Sequence, residues 1–266
     1  MRLALKIAYD GRAFHGFARQ PELRTVEGEV RLALEKSHLI EDSDAAKVRG
    51  SSRTDAGVSA IGNVIAFDTE SLGQEVIGRF NDAAKDAWAW SHAPVPDGFD
   101  PRRANSRWYR YHLTGRHDAA KLREASIPFL GAHDFAAFAS PDASRTRRHV
   151  DSIELVEADD GILVDVRAPS FVRGMVRRIV AALLAVERGD ATEEDLRRAL
   201  AAGAESAADF GQVPPEPLVL MDVDFGFPFT NAMDRAARLR LQRRASETVV
   251  VTRFWREVAK RSARES

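Results

Sequence analysis

The sequence contains no cysteine among its 266 residues. Disulfide bonds, thiol catalysis and cysteine-based metal sites are therefore excluded. The absence is compatible with a reducing compartment, where structural disulfides are rare. No apolar run follows a basic start, so a signal peptide is not expected. No apolar stretch approaches the roughly 18 residues that a membrane-spanning helix needs, so we expect a cytoplasmic protein without a membrane segment.

The chain also lacks a large net charge, because 39 Lys and Arg nearly balance 40 Asp and Glu and leave a formal charge of −1. The basic residues are nevertheless concentrated at 102–123, at 145–148 and from 229 onwards. Basic patches within a neutral total are typical of a solvated surface or of a footprint for nucleic-acid phosphates. Composition leaves both interpretations open, and it is otherwise ordinary for a globular protein, with 44% hydrophobic and 30% charged residues.

A loop rich in small residues carries the most suggestive local chemistry, at positions 49–60 with the sequence RGSSRTDAGVSA. Arg53 and Asp55 are two residues apart, so on an extended segment they point the same way. A nearby cation keeps a carboxylate ionised where water is excluded, which suits a catalytic base or nucleophile. The alternative is an ordinary turn in which Asp55 bonds to its own backbone.

The first half of the chain alternates strand and helix patterns up to a connection rich in proline and glycine at 94–101. Leu3, Leu5, Ile7 and Tyr9 recur with a period of two, which indicates a half-buried strand. Thr25 is a typical N-cap for the first helix. The predicted elements are strands at 2–9 and 63–69 and helices at 26–36 and 74–86. We place the boundary between two halves at 101–106.

The second half repeats this alternation, which together with the central linker predicts an α+β fold. The predicted elements are strands at 106–114 and 218–225, a hairpin at 150–158 and 161–167, and helices at 171–188 and 192–203. Beyond residue 229 the pattern predicts a helix at 234–242 and a strand at 247–255. This basic extension is either a surface appendage or an additional contact for RNA phosphates.

The loop RTDAGVSA closely resembles the signature loop of the TruA family of tRNA pseudouridine synthases. Further stretches match this family in the same order, and together they span residues 3–227. They read YDGRAFHGFARQP, SRWYRYHL, GAHDFAAFAS, FVRGMVRRIVAALLAV and, more weakly, PLVLMDVDF. The sequence departs from the common bacterial pattern at Phe14, Phe17, Ala18, Ser52 and Ser59, which concerns the substrate more than the chemistry.

The resemblance implies a fold of two related α/β halves that form one extended, mostly antiparallel sheet flanked by helices. The halves would be residues 1–105 and 106–228, with an active-site cleft between them and 229–266 as the extension. The resemblance also implies a tRNA substrate, typically modified at positions 38 to 40 of the anticodon arm, and a homodimer. It implies no cofactor, and no metal site is expected because the seven histidines show no metal-ligand spacing.

The family reaction detaches uracil from its ribose, turns it and reattaches it through carbon. The resemblance implies that Asp55 is the essential carboxylate, which attacks sugar or base or abstracts a proton. Arg53 or Arg177 would supply its countercharge. Tyr109 would stack on the flipped base or take part in proton transfer. The arginines expected to contact the substrate are Arg19, Arg110, Arg145 and Arg178.

Three other interpretations remain open from the residues. The first is an RNA-binding protein without activity, the second a synthase for other tRNA or RNA positions, and the third an unrelated carboxylate hydrolase. A hydrolase needs a second carboxylate about 5–10 Å from the first, and only Asp10 is nearby by motif, where we interpret it as a turn residue. His133 and Asp134 resemble a catalytic dyad, but no serine nucleophile motif accompanies them. The family resemblance implies that this motif serves mainly as architecture and RNA-facing surface.

Overall fold

The structure is a computed structural model that describes residues 1–232, 235–243, 245–246 and 248. Its centre is a nine-stranded sheet, and a separate two-stranded sheet lies beside it. The strands are β1 Arg2–Tyr9, β2 Arg49–Gly50, β3 Ser59–Asp68, β4 Ala87–Val95, β5 Ser106–Thr114, β6 Gly131–Asp134, β7 Arg147–Val150, β8 Ser152–Ala158, β9 Gly161–Ala168, β10 Leu218–Asp224 and β11 Thr230–Asn231. The helices are α1 Val26–Lys36, α2 Gly73–Ala83, α3 Ala119–Ser126, α4 Met175–Arg188 and α5 Glu193–Ala202.

The large sheet has the order β11-β4-β1-β3-β10-β5-β9-β8, with β2 paired to β3. Every pair is antiparallel except β3 with β10. Helices α1 and α2 pack near β4, while α3 and α4 pack near β8 and β5. The predicted fold class, an α+β protein with one extended, mostly antiparallel sheet flanked by helices, is confirmed.

The strand order repeats along the sheet. In the first half, β1 lies between its antiparallel neighbours β3 and β4. In the second half, β5 lies in the same way between β9 and β10. The two triplets meet at the parallel β3–β10 pair. This repetition agrees with two related halves, whereas the division of the chain at residues 105 and 106 stays a prediction.

The alternation in β1 is confirmed, since Leu3, Leu5, Ile7 and Tyr9 are all buried on one face. The Thr25 N-cap is also confirmed, because its hydroxyl accepts a hydrogen bond of 3.3 Å from the Gly28 amide at the start of α1. These contacts satisfy a backbone donor that a helix start otherwise leaves unpaired.

The long helix α4 begins at Met175, later than the predicted start at 171, because Gly174 adopts a left-handed conformation with φ 78°. Gly189, with φ 82°, ends the helix as predicted. Thr192 and Asp195 form a capping box at the start of α5. The positive φ at Gly174 turns the chain sharply before α4.

The sequence patterns missed strand β4 and helix α3, as well as the short strands β2, β6, β7 and β11. In β4 the residues facing the core are small, namely Ala87, Ala89, Ser91 and Ala93. Small residues give a weak strand signal even though the alternation with larger residues is present. The predicted bounds of β3 and α2 were also inexact, since β3 begins at Ser59 and α2 ends at Ala83.

Residues 235–243 are helical, so the helix predicted at 234–242 is confirmed within the described residues. Ala237 is buried, and Arg240 forms an ion pair of 3.3 Å with Asp82. The strand predicted at 247–255 lies outside the described residues apart from Thr248, which is helical. Across the described part of the chain, the helices are too short or too polar to span a bilayer.

Candidate active site

An open cleft of about 1070 Å³ lies where the two halves of the large sheet meet. Its walls come from the small-residue loop, from β5, from the first turn of α4 and from the segment before β10. The four side chains predicted to be catalytic all line it, namely Arg53, Asp55, Tyr109 and Arg177. The structure therefore brings together residues that are far apart in the sequence.

The register of the sheet explains how the loop and β5 meet. Leu220 of β10 lies opposite Ala60 of β3 on one side and opposite Tyr109 of β5 on the other. Asp55 precedes β3 by a few residues, so its loop ends beside the strand pair that carries Tyr109. The parallel β3–β10 pair at the junction of the halves thus determines the position of the cleft.

Asp55 forms an ion pair with Arg177, whose Nη1 donates to Oδ2 at 3.0 Å. The two side chains are 28% and 15% exposed, so water screens the pair only in part. Arg177 Nε donates to the Val213 carbonyl at 2.9 Å. With the Gln212 amide oriented so that its oxygen faces the guanidinium, that oxygen accepts from Nη1 at 2.6 Å. Arg177 also lies in the first turn of α4, where the helix dipole favours an anion.

A buried polar network anchors the loop behind Asp55. The hydroxyls of Tyr9 and Thr54 share a hydrogen bond of 2.8 Å, and Asn63 Nδ2 donates to the Tyr9 oxygen at 3.0 Å and to the Ser52 carbonyl at 2.9 Å. The Ser51 hydroxyl donates to Asn63 Oδ1 at 2.8 Å. Sequence reasoning missed Asn63, although a polar residue within an apolar strand was a usable signal.

The first motif, YDGRAFHGFARQP, packs against the same loop. The Phe17 amide donates to the Thr54 carbonyl at 3.0 Å. Gly16 adopts φ 93°, and a Cβ there would lie 3.3 Å from both the Ala56 nitrogen and the Thr54 oxygen. Glycine is needed at this position because the loop backbone approaches so closely.

Tyr109 is buried with 7% exposure, and its ring meets Phe171 edge to face at a centroid distance of 5.2 Å. Burial raises the pKa of Tyr109 to about 12, while the positive charge of Arg107 opposes this rise. The hydroxyl therefore stays protonated near neutral pH. By contrast, Tyr111 donates to the Pro214 carbonyl at 3.1 Å from a buried position, as expected for a core tyrosine.

Arg53 is exposed at the cleft and makes neither a hydrogen bond nor an ion pair with another described residue. Of the two arginines considered as countercharges for Asp55, the structure places Arg177 in contact. Arg107, which was not singled out from the sequence, also lines the cleft and is buried.

The four arginines predicted to bind substrate lie outside the described cleft lining. Arg19 and Arg145 are exposed. Arg110 makes two 2.7 Å hydrogen bonds to Asp165, and Arg178 pairs with Asp209 at 3.1 Å. Substrate contact by these four residues stays a prediction.

The charge of the cleft is strongly one-sided. Among the described residues that line it, five are arginines and only Asp55 is acidic. The arginines are Arg53, Arg102, Arg107, Arg173 and Arg177. Arg102, Arg173 and Arg177 pair with Asp100, Asp142 and Asp55, and Arg107 donates to neutral oxygens. Arg53 is therefore the lining arginine best placed for a phosphate, whose geometry a guanidinium matches. A two-carboxylate hydrolase site is not present among these lining residues.

Two other acidic motif residues have local structural roles. Asp10 accepts from the Arg12 amide at 3.1 Å and does not line the cleft, which confirms a turn residue. Asp134 accepts from the Ala136 amide at 3.1 Å and from the Thr146 hydroxyl at 2.6 Å. The neighbouring His133 contacts the Leu130 carbonyl at 2.8 Å, so its assignment to the architecture is confirmed.

A family model described as tRNA pseudouridine synthase matches residues 125–226. The chain is 42% identical over 227 residues to a tRNA pseudouridine synthase A of Pyrococcus furiosus, with 85% of this chain and 84% of the relative covered. It is 39% identical over 254 residues to a protein of the same name from Pyrococcus horikoshii, with 94% and 95% covered.

A relative of that name from Methanococcoides burtonii is 40% identical over 267 residues, with 97% of this chain and 95% of the relative covered. Among solved structures, a Cbf5-Nop10-Gar1 complex aligns at 14% identity over 67% of this chain and 54% of that chain. Its TM-score of 0.28 is too low to indicate a shared function.

Proposed function

Because this chain belongs to the tRNA pseudouridine synthase family and isomerises uridine to pseudouridine in tRNA, we propose that Asp55 is the carboxylate on which the reaction depends. The observation that carries the proposal is the position of Asp55. It is the one acidic side chain among the described residues of the cleft lining, and it pairs with Arg177 at 3.0 Å.

The isomerisation breaks the bond between uracil N1 and ribose C1′ and forms a bond between C5 and C1′. A proton leaves C5 and N1 gains one, so the composition of the RNA is unchanged. An ionised Asp55 serves this sequence either by attacking covalently or by abstracting a proton. Both routes require the carboxylate form in a partly buried site, and Arg177 lies 3.0 Å away as its counter-ion.

We assign Tyr109 to the target base. An aromatic face stacks on an extruded base with a contribution of roughly 1–3 kcal/mol. Since burial raises the pKa of Tyr109 to about 12, its hydroxyl acts as a donor rather than as a ready base. The edge-to-face contact with Phe171 holds the ring in place.

The target uridine has to leave its stack to reach Asp55, at a cost of a few kcal/mol. We propose that phosphate contacts offset this cost and hold the tRNA by its shape. Arg53 is suited to such a contact because it is exposed at the cleft without a described partner. Arg19 and Arg145 are exposed as well, whereas Arg110 and Arg178 would have to exchange a carboxylate for a phosphate.

The finer assignments rest on the resemblance of the sequence motifs. We propose that the modified uridines are at positions 38 to 40 of the anticodon arm. We also propose that the protein acts as a homodimer in the cytoplasm, without a cofactor.

Chemical mapping of pseudouridine in unmodified tRNA transcripts tests this function. The matched substrate is the same transcript with cytidine at positions 38 to 40. We expect pseudouridine at 38–40 in the first transcript and no product in the second. Product at other positions would overturn the site specificity alone. Binding without product in any transcript would overturn the enzymatic assignment.

A further inference from the structure

Arg107 is a buried cation in the cleft wall without an acidic partner among the described residues. It precedes Tyr109 by two positions on β5, so both side chains point to the same face of the sheet. It is 7% exposed, and burial lowers the pKa of its guanidinium. A buried charge of this kind is costly unless good hydrogen bonds compensate for lost water.

The guanidinium obtains those hydrogen bonds from neutral oxygens. Nε donates to the Ser52 hydroxyl at 2.9 Å, and Nη2 donates to the Ser51 carbonyl at 3.1 Å. Nη2 also donates to the Arg102 carbonyl at 2.9 Å, and Nη1 donates to the Pro169 carbonyl. One planar group thus joins three chain segments that are distant in the sequence.

Each of these segments contributes to the cleft. Ser51 and Ser52 belong to the loop that carries Asp55, Arg102 lies at the rim, and Pro169 precedes the lining residue Ser170. Lysine has no fork of donors with which to reach these acceptors together. The contacts of Arg107 therefore depend on guanidinium geometry as well as on charge.

We propose that Arg107 is a positioning residue for pseudouridine formation, holding the Asp55 loop of the first half against the Tyr109 strand of the second half. The proposal rests on the function assigned above. Ser52 is three residues before Asp55, and its hydroxyl accepts from Arg107 Nε at 2.9 Å. The Ser52 side chain also interacts with Tyr109, where it opposes the rise in the pKa. The spacing of the carboxylate and the ring across the junction then depends on Arg107 in addition to the Tyr9–Asn63 network behind the loop.

The test compares Arg107→Lys and Arg107→Gln with the native enzyme in single-turnover pseudouridine formation on one tRNA. Because small displacements of reacting groups cost about 100-fold in rate, we expect a loss of about that size in both variants. Affinity for the tRNA should stay within about threefold, since Arg107 is not offered as a phosphate contact. Lysine keeps the charge, so an equal loss in both variants assigns the effect to geometry.

Arg2→Lys provides a matched control for general stability. Arg2 is also buried, with 3% exposure, and it donates to the Phe99 carbonyl at 2.9 Å and to Asp68 at 2.9 Å. It lies outside the described cleft lining. Arg2→Lys should lower the unfolding temperature, yet the folded fraction should keep the native single-turnover rate.

Native activity in Arg107→Lys would overturn the proposal, as would a loss that merely follows the folded fraction in both Arg107→Lys and Arg2→Lys. If neither Arg107 variant folds, Ser52→Ala removes one acceptor, and we expect it to slow the reaction about tenfold, in keeping with a hydrogen bond to a charged group. A native rate in Ser52→Ala would then overturn the proposal. A native enzyme that forms no pseudouridine would instead overturn the proposed function.

Discussion

Asp55 and Asp134 are both acidic residues within family-like motifs, yet they lie in very different surroundings. Asp134 bonds locally, since its Oδ1 accepts from both the Ala136 amide and the Thr146 hydroxyl and so stabilises a turn. The Asp55 carboxylate bonds only to Arg177 among the described residues, a partner on a helix in the other half. A carboxylate that its own loop does not consume remains available to a ligand in the cleft.

The largest expected effect is the difference in reaction rate between the alanine variants of Asp55 and Asp134. We expect Asp55→Ala to lower the rate of pseudouridine formation by on the order of 10⁴-fold, because removal of a residue in direct contact with the reacting atoms typically costs this much. Asp134→Ala, measured on the folded fraction, should keep the rate within about threefold, since it lies outside the chemistry. Comparable losses of rate in both variants would contradict the distinction between a catalytic Asp55 and a structural Asp134.

A second contrast concerns neighbouring arginines on α4. Arg177→Met leaves Asp55 without its countercharge, and we expect a loss of about 100-fold in single-turnover rate, scaled down from a fully buried pair because Asp55 is partly exposed. Arg178→Met is the matched control: Arg178 pairs with the exposed Asp209, and its predicted contact with tRNA affects binding, so at saturating enzyme its single-turnover rate should stay near the native value. If Arg178→Met were the slower enzyme, the assignment of Arg177 would be wrong.

Much of this site was predictable because its chemistry follows a recognisable pattern. The motifs located Asp55, Tyr109 and Arg177, and the structure places all three in one cleft. Helix and strand patterns were reliable where apolar residues recur at regular spacing, as in β1 and α1. Strand β4 was missed because alanine and serine face its core and give little strand signal.

The remaining features depend on tertiary contacts that a linear sequence does not display. Arg107 acquires its role only when Ser51, Arg102 and Pro169 surround it. The pairing of Arg110 with Asp165, outside the described cleft lining, was also not visible in the sequence, and its contact with the substrate stays a prediction. The choice between Arg53 and Arg177 as countercharge likewise required the packing of α4 against the loop.

A smaller effect tests whether the Tyr109 hydroxyl belongs to the site or only to the fold. Its pKa is raised to about 12 from 10.0, so folding favours the protonated form, and the associated stability is present below pH 10 and lost between pH 10 and 12. The unfolding free energy, measured with urea, should therefore fall less between pH 9 and pH 12 in Tyr109→Phe than in the native protein. We expect a difference on the order of 2–3 kcal/mol. Tyr9 and Tyr111 remain in both proteins, and loss of the Tyr109 charge removes only the smallest of the influences on the pKa of Tyr9, whose main cause is burial.

The same Tyr109→Phe variant should slow pseudouridine formation by about tenfold, because stacking is retained and one hydrogen bond is lost. Tyr111→Phe serves as the control, since Tyr111 bonds to the Pro214 carbonyl and not to a residue assigned to the chemistry. Equal rates in the two variants would assign the Tyr109 hydroxyl to the fold alone.

The smallest expected effect concerns the stability of the turn that Asp134 forms with Ala136 and Thr146. Asp134→Ala removes acceptors from Ala136 and Thr146, so we expect a loss of about 1–2 kcal/mol in unfolding free energy. Urea unfolding at pH 7 measures this loss. An unchanged stability would show that the turn does not depend on its carboxylate, and it would weaken the structural assignment of the GAHDF motif.

The most direct test of the central claim is release of the C5 hydrogen during the reaction, measured as tritium lost from tRNA that carries 5-tritiated uridine. The native protein and Asp55→Asn are compared at saturating enzyme, because asparagine keeps the shape of the side chain and removes its charge. We predict stoichiometric release by the native protein and no release by Asp55→Asn, with tRNA binding retained in both. Release by Asp55→Asn at the native rate would contradict the account.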